Sequence, residues 1–192
     1  MSRSIYILAF LFFLTTIFAQ SRLQQAFPKS AITAQFAGST GLVTAGFSKV
    51  SARDKIEVGL LYGYTPRRYG DLNALVLKGT YNPFHITITE KIKLEPIQTG
   101  LFISQNFGKN LGLKWGEEYP YGYYWWSRST RFHFFISTQA SYKLDTKYMD
   151  RLSLYFEANT NDLYVFSYVP NRNALSLYDI FFFGTGIKLY LK

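Results

Sequence analysis

Apolar and polar side chains alternate along most of the chain, and the alternation is clearest at its carboxyl end. In residues 181–191 most odd-numbered positions are apolar, whereas the even-numbered positions include two glycines, a lysine and a tyrosine. Successive side chains of a strand point to opposite faces, so a period of two residues predicts a β-strand. Residues 176–192 are therefore predicted to form the last strand of the protein.

The same period predicts eight strands in all. They are residues 31–48, 55–64, 72–81, 85–94, 97–105, 131–144, 151–168 and 176–192. In the first segment, Gly38 and Gly41 suggest a bulge where the alternation changes phase. Pro96 and a change of phase predict a tight turn between the fourth and fifth segments. A competing count of ten strands divides the first segment at Gly38 and the seventh at Asn161.

The amino-terminal region predicts export. Arg3 is followed by a nearly uninterrupted apolar stretch, residues 5–18, and Ala19 offers a small residue at a cleavage point. This pattern predicts a signal peptide over residues 1–19 and one domain over residues 20–192. The stretch is too short for a transmembrane helix, which needs about 20 residues. The chain contains no cysteine, so the exported fold is expected to need no disulfide.

Composition favours a barrel that lies in a membrane. Aromatic residues make up 19% of the chain and charged residues only 17%, a blend that is typical of transmembrane barrels. A chain without a membrane-spanning helix can cross lipid only as a closed barrel, which satisfies all its backbone hydrogen bonds. The net charge of +9 favours anionic surfaces such as phosphorylated lipid head groups. Nucleic acid is not expected as a partner, because the basic residues are scattered.

The signal, the eight alternating segments and the apolar ending of residues 184–192 resemble the small outer-membrane β-barrel proteins of diderm bacteria. The resemblance covers essentially the whole chain after the signal. It implies an all-β fold, a closed antiparallel up-and-down transmembrane β-barrel of eight strands. It also implies residence in the bacterial outer membrane, with membrane lipids and lipopolysaccharide as contacts and the barrel-assembly machinery as a partner during biogenesis.

An even number of strands would place both chain ends in the periplasm and the long connection of residues 106–130 on the outer side. That connection holds all three tryptophans of the chain. Its aromatic side chains could stack on sugar rings while nearby cations meet phosphates. The alternative is an aromatic girdle with a loop folded over the barrel mouth. The predicted contact surface consists of Trp115, Tyr121, Tyr123, Tyr124, Trp125 and Trp126.

The polar face of the strands carries charges that a barrel would enclose. A buried carboxylate such as that of Glu157 needs cationic or hydrogen-bonding partners. We therefore expect a paired charge network in the lumen, with a narrow polar conduit or a catalytic role as the alternatives. The predicted network consists of Lys55, Glu57, Lys78, Arg131, His133, Lys143, Glu157 and Lys188.

The sequence offers no catalytic set. The chain contains only two histidines, and neither lies in a His-x-Ser pair. Ser137 shares a strand face with His133, but four residues of strand span about 13 Å, which no hydrogen bond can bridge. No cysteine or histidine cluster predicts a metal site, and no glycine-rich loop predicts a nucleotide, so no cofactor is expected.

These observations predict a non-enzymatic outer-membrane barrel with a role in envelope structure or surface interaction. Two alternatives remain. One is an outer-membrane enzyme that modifies the acyl chains of lipid A or phospholipids. The other is a soluble secreted barrel, similar to a lipocalin, in which the faces are exchanged and an apolar ligand binds inside.

Overall fold

The computed structural model describes residues 24–108, 129–144 and 146–192. One α-helix, α1 (Asp162–Asn171), and two short 3-10 helices, η1 (Arg67–Tyr69) and η2 (Leu177–Asp179), lie in the connections of a single sheet. The strands are β1 (Lys29–Ala37), β2 (Val43–Val50), β3 (Ile56–Thr65), β4 (Leu72–Tyr81), β5 (Ile86–Thr87), β6 (Ile92–Phe107), β7 (Thr130–Lys143), β8 (Met149–Asn161) and β9 (Phe182–Leu191).

Eight of these strands form a closed antiparallel barrel, so the predicted fold class and strand count are confirmed. Neighbours in the chain pair with each other, β4 pairs with β6, and β1 pairs with β9 to close the ring. The ninth strand, β5, is a two-residue piece that pairs with the start of β6. Closure leaves no unpaired edge, because the first and last strands satisfy each other.

The two ends of the barrel differ in their connections. Ser30 pairs with Leu191, so the first and last strands begin and finish at one end, which we call the terminal end. Residues 51–55, 82–91 and 144–148 connect strands there. At the opposite, distal end, residues 38–42, 66–71 and 162–181 connect strands, and β6 ends and β7 begins there. The two largest gaps between consecutive barrel strands, 22 residues from β6 to β7 and 20 from β8 to β9, therefore begin and end at the distal end.

The prediction of one strand over residues 31–48 was wrong. β1 ends at Ala37 and β2 begins at Val43, and the two strands form a hairpin. Ala37, Gly38 and Ser39 have φ angles of 61°, 81° and 60°, in the left-handed region. The phase change around Gly38 thus comes from a reversal of the chain rather than from a bulge, and the alternative division at Gly38 was right.

The tight turn predicted at Pro96 was also wrong. β6 runs through this position, and its register with β7 shifts by one residue between Glu95 and Gln98. Such a shift is a β-bulge, which tolerates proline because the extra residue makes no ladder hydrogen bond. The reversal lies earlier, where the backbone N–H of Ile88 donates to the carbonyl of Ile92 over 3.0 Å.

The predicted strand over residues 151–168 is a strand only as far as Asn161. The side chain of Asn161 accepts a hydrogen bond from the backbone N–H of Tyr164, and helix α1 follows. This is the arrangement of a helix N-cap. The last predicted strand is likewise shorter, since β9 begins at Phe182 and η2 precedes it. No helix in the described part of the chain is long and apolar enough to cross a membrane.

The apolar face of the strands points outward and the polar face points inward. On β7, Phe132, Phe134 and Ile136 are 39%, 50% and 45% exposed, whereas His133, Ser137 and Gln139 are buried. Apolar side chains are likewise exposed on the other strands of the ring, from Ile32 on β1 to Ile187 on β9. The interior also holds two small apolar clusters, one around Phe102 and Phe135 and one around Tyr190.

Candidate functional site in the barrel interior

An ion pair crosses the middle of the lumen. Lys78 of β4 donates from Nζ to Oε2 of Glu157 on β8, and both side chains are almost fully buried. The Lys78 ammonium also lies 4.4 Å from the centre of the Phe135 ring, which allows a cation–π contact. Asn159 donates to the other carboxylate oxygen of Glu157 over 3.4 Å. Both members of the pair therefore have a further contact besides each other.

A second ion pair lies next to the first. Nζ of Lys188 on β9 donates to Oε2 of Glu57 on β3 over 2.8 Å. Ser48 donates to the other oxygen of Glu57 over 2.8 Å, and the Tyr190 hydroxyl donates to Oε2 over 3.3 Å. The Lys188 ammonium lies 5.3 Å from the centre of the Tyr155 ring. A carboxylate with three donors is well compensated for the loss of water.

A third buried carboxylate, Glu95, was missed by sequence reasoning. It is 3% exposed and accepts hydrogen bonds from Ser141 and Gln139 over 3.0 and 3.4 Å. Its position in the sequence was interpreted as part of a turn before Pro96. A reading of residues 92–107 as one bulged strand would have placed Glu95 on the inner face with Lys93.

Arg151, which the sequence did not single out, joins a charge cluster where the lumen opens at the terminal end. Its Nη1 lies 3.2 Å from Oδ2 of Asp54 and 3.0 Å from Oδ2 of Asp150. Lys29 donates to Oδ1 of Asp54 over 2.9 Å. The guanidinium centre lies 3.7 Å from the centre of the Tyr190 ring. A planar guanidinium suits simultaneous pairing and stacking of this kind.

The structure brings together four of the eight residues in the predicted network, Glu57, Lys78, Glu157 and Lys188. It places the other four outside the two ion pairs. Lys55 lies exposed in the turn before β3, and Lys143 lies exposed at the end of β7. Arg131 is half-buried near the distal end, where its Nη1 donates to the Thr130 carbonyl over 2.8 Å. His133 is buried, and its Nε2 lies 3.0 Å from Oγ of Ser104.

Two glycines give the interior aromatic rings their space. A Cβ at Gly100 would lie 2.7 Å from the Phe135 ring, and one at Gly186 would lie 2.7 Å from the Tyr155 ring. Each aromatic residue is paired across the sheet with its glycine, Phe135 with Gly100 and Tyr155 with Gly186, so the ring lies over the glycine. The space at Gly186 is thus filled by Tyr155, whose ring stands beside Lys188.

The β1–β2 turn folds inward and closes part of the distal end. Thr40 at its tip is 1% exposed and forms hydrogen bonds with Gln35 and Thr44 over 3.3 and 2.9 Å. Asn159 donates to the Gly38 carbonyl over 3.0 Å. The turn is therefore held by its own flanking strands and by β8.

Little space remains beside the two ion pairs. The two cavities beside the ion pairs each measure about 10 Å³, no more than a single water molecule requires. No group of three or more His, Asp or Glu residues that could hold a metal ion occurs within residues 24–108, 129–144 and 146–192. The six aromatic residues of the predicted outer-loop surface lie outside the described residues, as does the predicted signal peptide.

The fold and the interior define a class: a closed eight-stranded antiparallel β-barrel with an apolar exterior and a filled, ion-paired lumen. Comparison with family models, with curated proteins and with solved structures found no match to this chain.

Proposed function

We propose that the chain is a non-enzymatic outer-membrane β-barrel of a diderm bacterium that contributes to envelope structure or to surface interaction. The observation that carries the proposal is the apolar exterior. Every barrel strand presents large apolar side chains outward, among them Leu101 and Leu154, which are 65% and 60% exposed. A continuous apolar surface of this kind is unfavourable in water and favourable in lipid.

The filled lumen favours a structural role over transport. Lys78–Glu157 and Lys188–Glu57 cross the interior, and the cavities beside them admit no more than a water molecule each. An apolar ligand, as in a lipocalin-like protein, would need an apolar cavity of several hundred Å³. The described interior is instead lined mainly by charged and polar side chains, so it gives no support to that alternative.

The ends of the barrel support an orientation. Transmembrane barrels have short periplasmic turns and longer outer loops. No connection at the terminal end is longer than ten residues (82–91), whereas at the distal end 22 residues separate β6 from β7 and 20 separate β8 from β9. We therefore propose that the terminal end faces the periplasm. The aromatic loop would then meet the outer leaflet, with its lipopolysaccharide, and membrane lipids would surround the strands.

Cell fractionation tests this proposal. We expect the protein in the outer-membrane fraction, extractable only with detergent, and we expect its gel mobility to change on heating because a closed barrel resists unfolding by detergent. Recovery as a soluble protein without detergent would contradict the proposal.

A second candidate function, hydrolysis of lipid acyl esters, is favoured by one contact. Oγ of Ser104 lies 3.0 Å from Nε2 of His133, within reach for proton transfer from a serine nucleophile. The sequence did not suggest this pair, because the two residues lie on neighbouring strands. Ser104 is, however, fully buried in the structure. For this reason we place the enzymatic function second.

A fluorophosphonate probe separates the two functions. Under the leading proposal the protein in lipid is not labelled, and lipid A from cells with and without the protein has the same mass spectrum. Labelling that disappears in Ser104→Ala but persists in Ser137→Ala would favour the enzyme instead.

A further inference from the structure

Four cations lie where the lumen opens at the terminal end, and three of them are side by side. Lys143 of β7 is paired in register with Arg151 of β8. On its other side, the backbone N–H of Lys143 donates to the carbonyl of Lys91 over 2.8 Å. Lys93 is paired with Ser141 and lies two residues further along β6, towards the inside of the barrel. Four positive side chains thus come from three neighbouring strands and the turn that leads into them.

Among the described residues, carboxylates compensate only one side of this group. Asp54 and Asp150 pair with Arg151, and Asp54 also pairs with Lys29. Lys91, Lys93 and Lys143 have no ion-pair partner among the residues that the structure describes. Like charges on directly opposed positions of neighbouring strands are destabilising. The fold therefore holds Lys143 between Lys91 and Arg151 at a cost that a bound anion would reduce.

A cavity of about 240 Å³ lies between these groups. It is far larger than the cavities deeper in the lumen, and it is open at the terminal end. Its lining includes five cations, three carboxylates and one hydroxyl, those of Lys29, Lys91, Lys93, Lys143, Arg151, Asp54, Glu90, Asp150 and Ser141. With two of the carboxylates already paired, the free groups that line the cavity are mainly positive.

We propose that this cavity binds a small soluble anion with at least two negative charges, of the phosphate or pyrophosphate class, between Lys91, Lys93 and Lys143. Ammonium groups bind phosphate oxygens through charge-assisted hydrogen bonds. A phospholipid head group is a poorer occupant, because the cavity opens into the lumen and the acyl chains of a lipid would remain outside the barrel. The lysines suited to head groups are the exposed Lys49 and Lys147, which lie beside outward-facing Phe47 and Tyr148.

Calorimetric titration of the purified full-length protein with inorganic pyrophosphate tests the proposal. The first variant is the triple change Lys91→Gln, Lys93→Gln and Lys143→Gln. The control, with the same net charge, is the triple change Lys49→Gln, Arg53→Gln and Lys147→Gln. We expect saturable binding to the wild type and to the control, and binding weaker by more than about tenfold in the first variant.

The melting temperature gives a second measurement that does not depend on the ligand. Without pyrophosphate, Lys143→Gln should raise the melting temperature because it removes repulsion on both sides, and pyrophosphate should raise that of the wild type. Absence of binding, or equal loss of binding in both triple variants, would overturn the proposal. Displacement of pyrophosphate by phosphatidylglycerol added to the micelles would overturn the assignment to a soluble anion. None of these outcomes depends on whether the barrel resides in the outer membrane.

Discussion

Burial makes each charge in the lumen depend on its partner. Glu157 is 1% exposed, and Lys78 supplies its positive charge from a strand on the other side of the barrel. A buried ion pair adds little stability compared with apolar residues of the same shape, but removal of one partner leaves a charge without compensation. The two central pairs therefore tie together strands that lie three places apart in the ring of eight.

Replacement of Lys78 tests this dependence. We expect Lys78→Met to lower the free energy of unfolding by about 3–5 kcal/mol, because Glu157 would remain buried without its cation. The double change Lys78→Met and Glu157→Gln should cost less than the single change. Urea unfolding of the protein in detergent micelles measures both.

The exposed pair Arg67–Asp71 is the control for this experiment, since its arginine side chain is 81% exposed. Arg67→Met should cost less than about 1 kcal/mol. A double variant that is less stable than Lys78→Met alone would contradict the interpretation.

The interior glycines are the second feature at the level of single residues that can be tested. A Cβ at Gly100 would lie 2.0 Å from the carbonyl oxygen of Gly79 and 2.7 Å from the Phe135 ring. We expect Gly100→Ala to destabilise the barrel by about 1–3 kcal/mol, because backbone atoms cannot move aside.

Gly79→Ala is the matched control, since the nearest atom to its Cβ is 3.9 Å away. Thermal unfolding of the two variants gives the comparison. Equal melting temperatures for both alanine variants would show that the ring does not depend on the glycine.

Alternation along the strands was enough to place Glu57, Lys78, Glu157 and Lys188 on one face. It could not show which of them meet, because the partners lie on strands far apart in sequence. Glu95 was hidden by the bulge, and Arg151 pairs not only with its neighbour Asp150 but also with Asp54, a turn residue nearly a hundred positions away. Pairing across a lumen is a property of the closed ring.

Among the elements, local hydrogen bonds overrode the strand pattern at two places. Asn161 caps helix α1 where alternation had suggested a continued strand. Before β9, the Ser176 backbone N–H and hydroxyl donate to Oδ2 of Asp179 over 2.7 and 2.9 Å, and the chain turns through η2. Short polar side chains of this kind compete with the sheet for backbone groups.

The capping of η2 makes a prediction about pH. The backbone N–H of Ser176, and next its hydroxyl, hold the pKa of Asp179 below its ordinary value of 3.8. Because the folded pKa is the lower one, the stabilisation of η2 is complete above the ordinary value and is lost as pH falls through the folded pKa. An NMR titration of the Asp179 carboxyl measures this.

Ser176→Ala should raise the pKa of Asp179 only partly, since the backbone donor remains, and Ser176→Thr should leave it unchanged. A pKa that is the same in Ser176→Ala as in the wild type would show that the hydroxyl does not contribute.

At the scale of the whole molecule, the apolar exterior is the property that connects the fold with the proposed function. It surrounds the barrel between the two sets of connections, and the charges are enclosed within it or lie at its ends. In a soluble barrel the same alternation would face the other way. The direction of the faces is thus the feature from which the membrane assignment is argued.

Arginine substitution at Leu101 distinguishes lipid from water. Leu101 lies near the middle of β6 and is 65% exposed. In lipid, Leu101→Arg should cost about 2–4 kcal/mol, because arginine is unfavourable near the bilayer centre. On a surface in water the same change should fall within about 0.5 kcal/mol.

Tyr69→Arg in η1 is the control, since Tyr69 is 63% exposed but lies in a connection at the distal end. Unfolding by urea in phospholipid vesicles measures both. A loss below about 0.5 kcal/mol for Leu101→Arg would contradict a position in lipid.

The sequence by itself determined the strand character and the two faces, because a period of two residues depends only on the order of neighbouring residues in the chain. It also contained the even count of eight, although the boundaries within residues 31–48 and 85–105 were wrong in compensating ways. Only the tertiary structure decided which face is outside, which charges pair and how the lysines gather at the terminal end. These depend on closure of the ring, which joins residues that no local pattern relates.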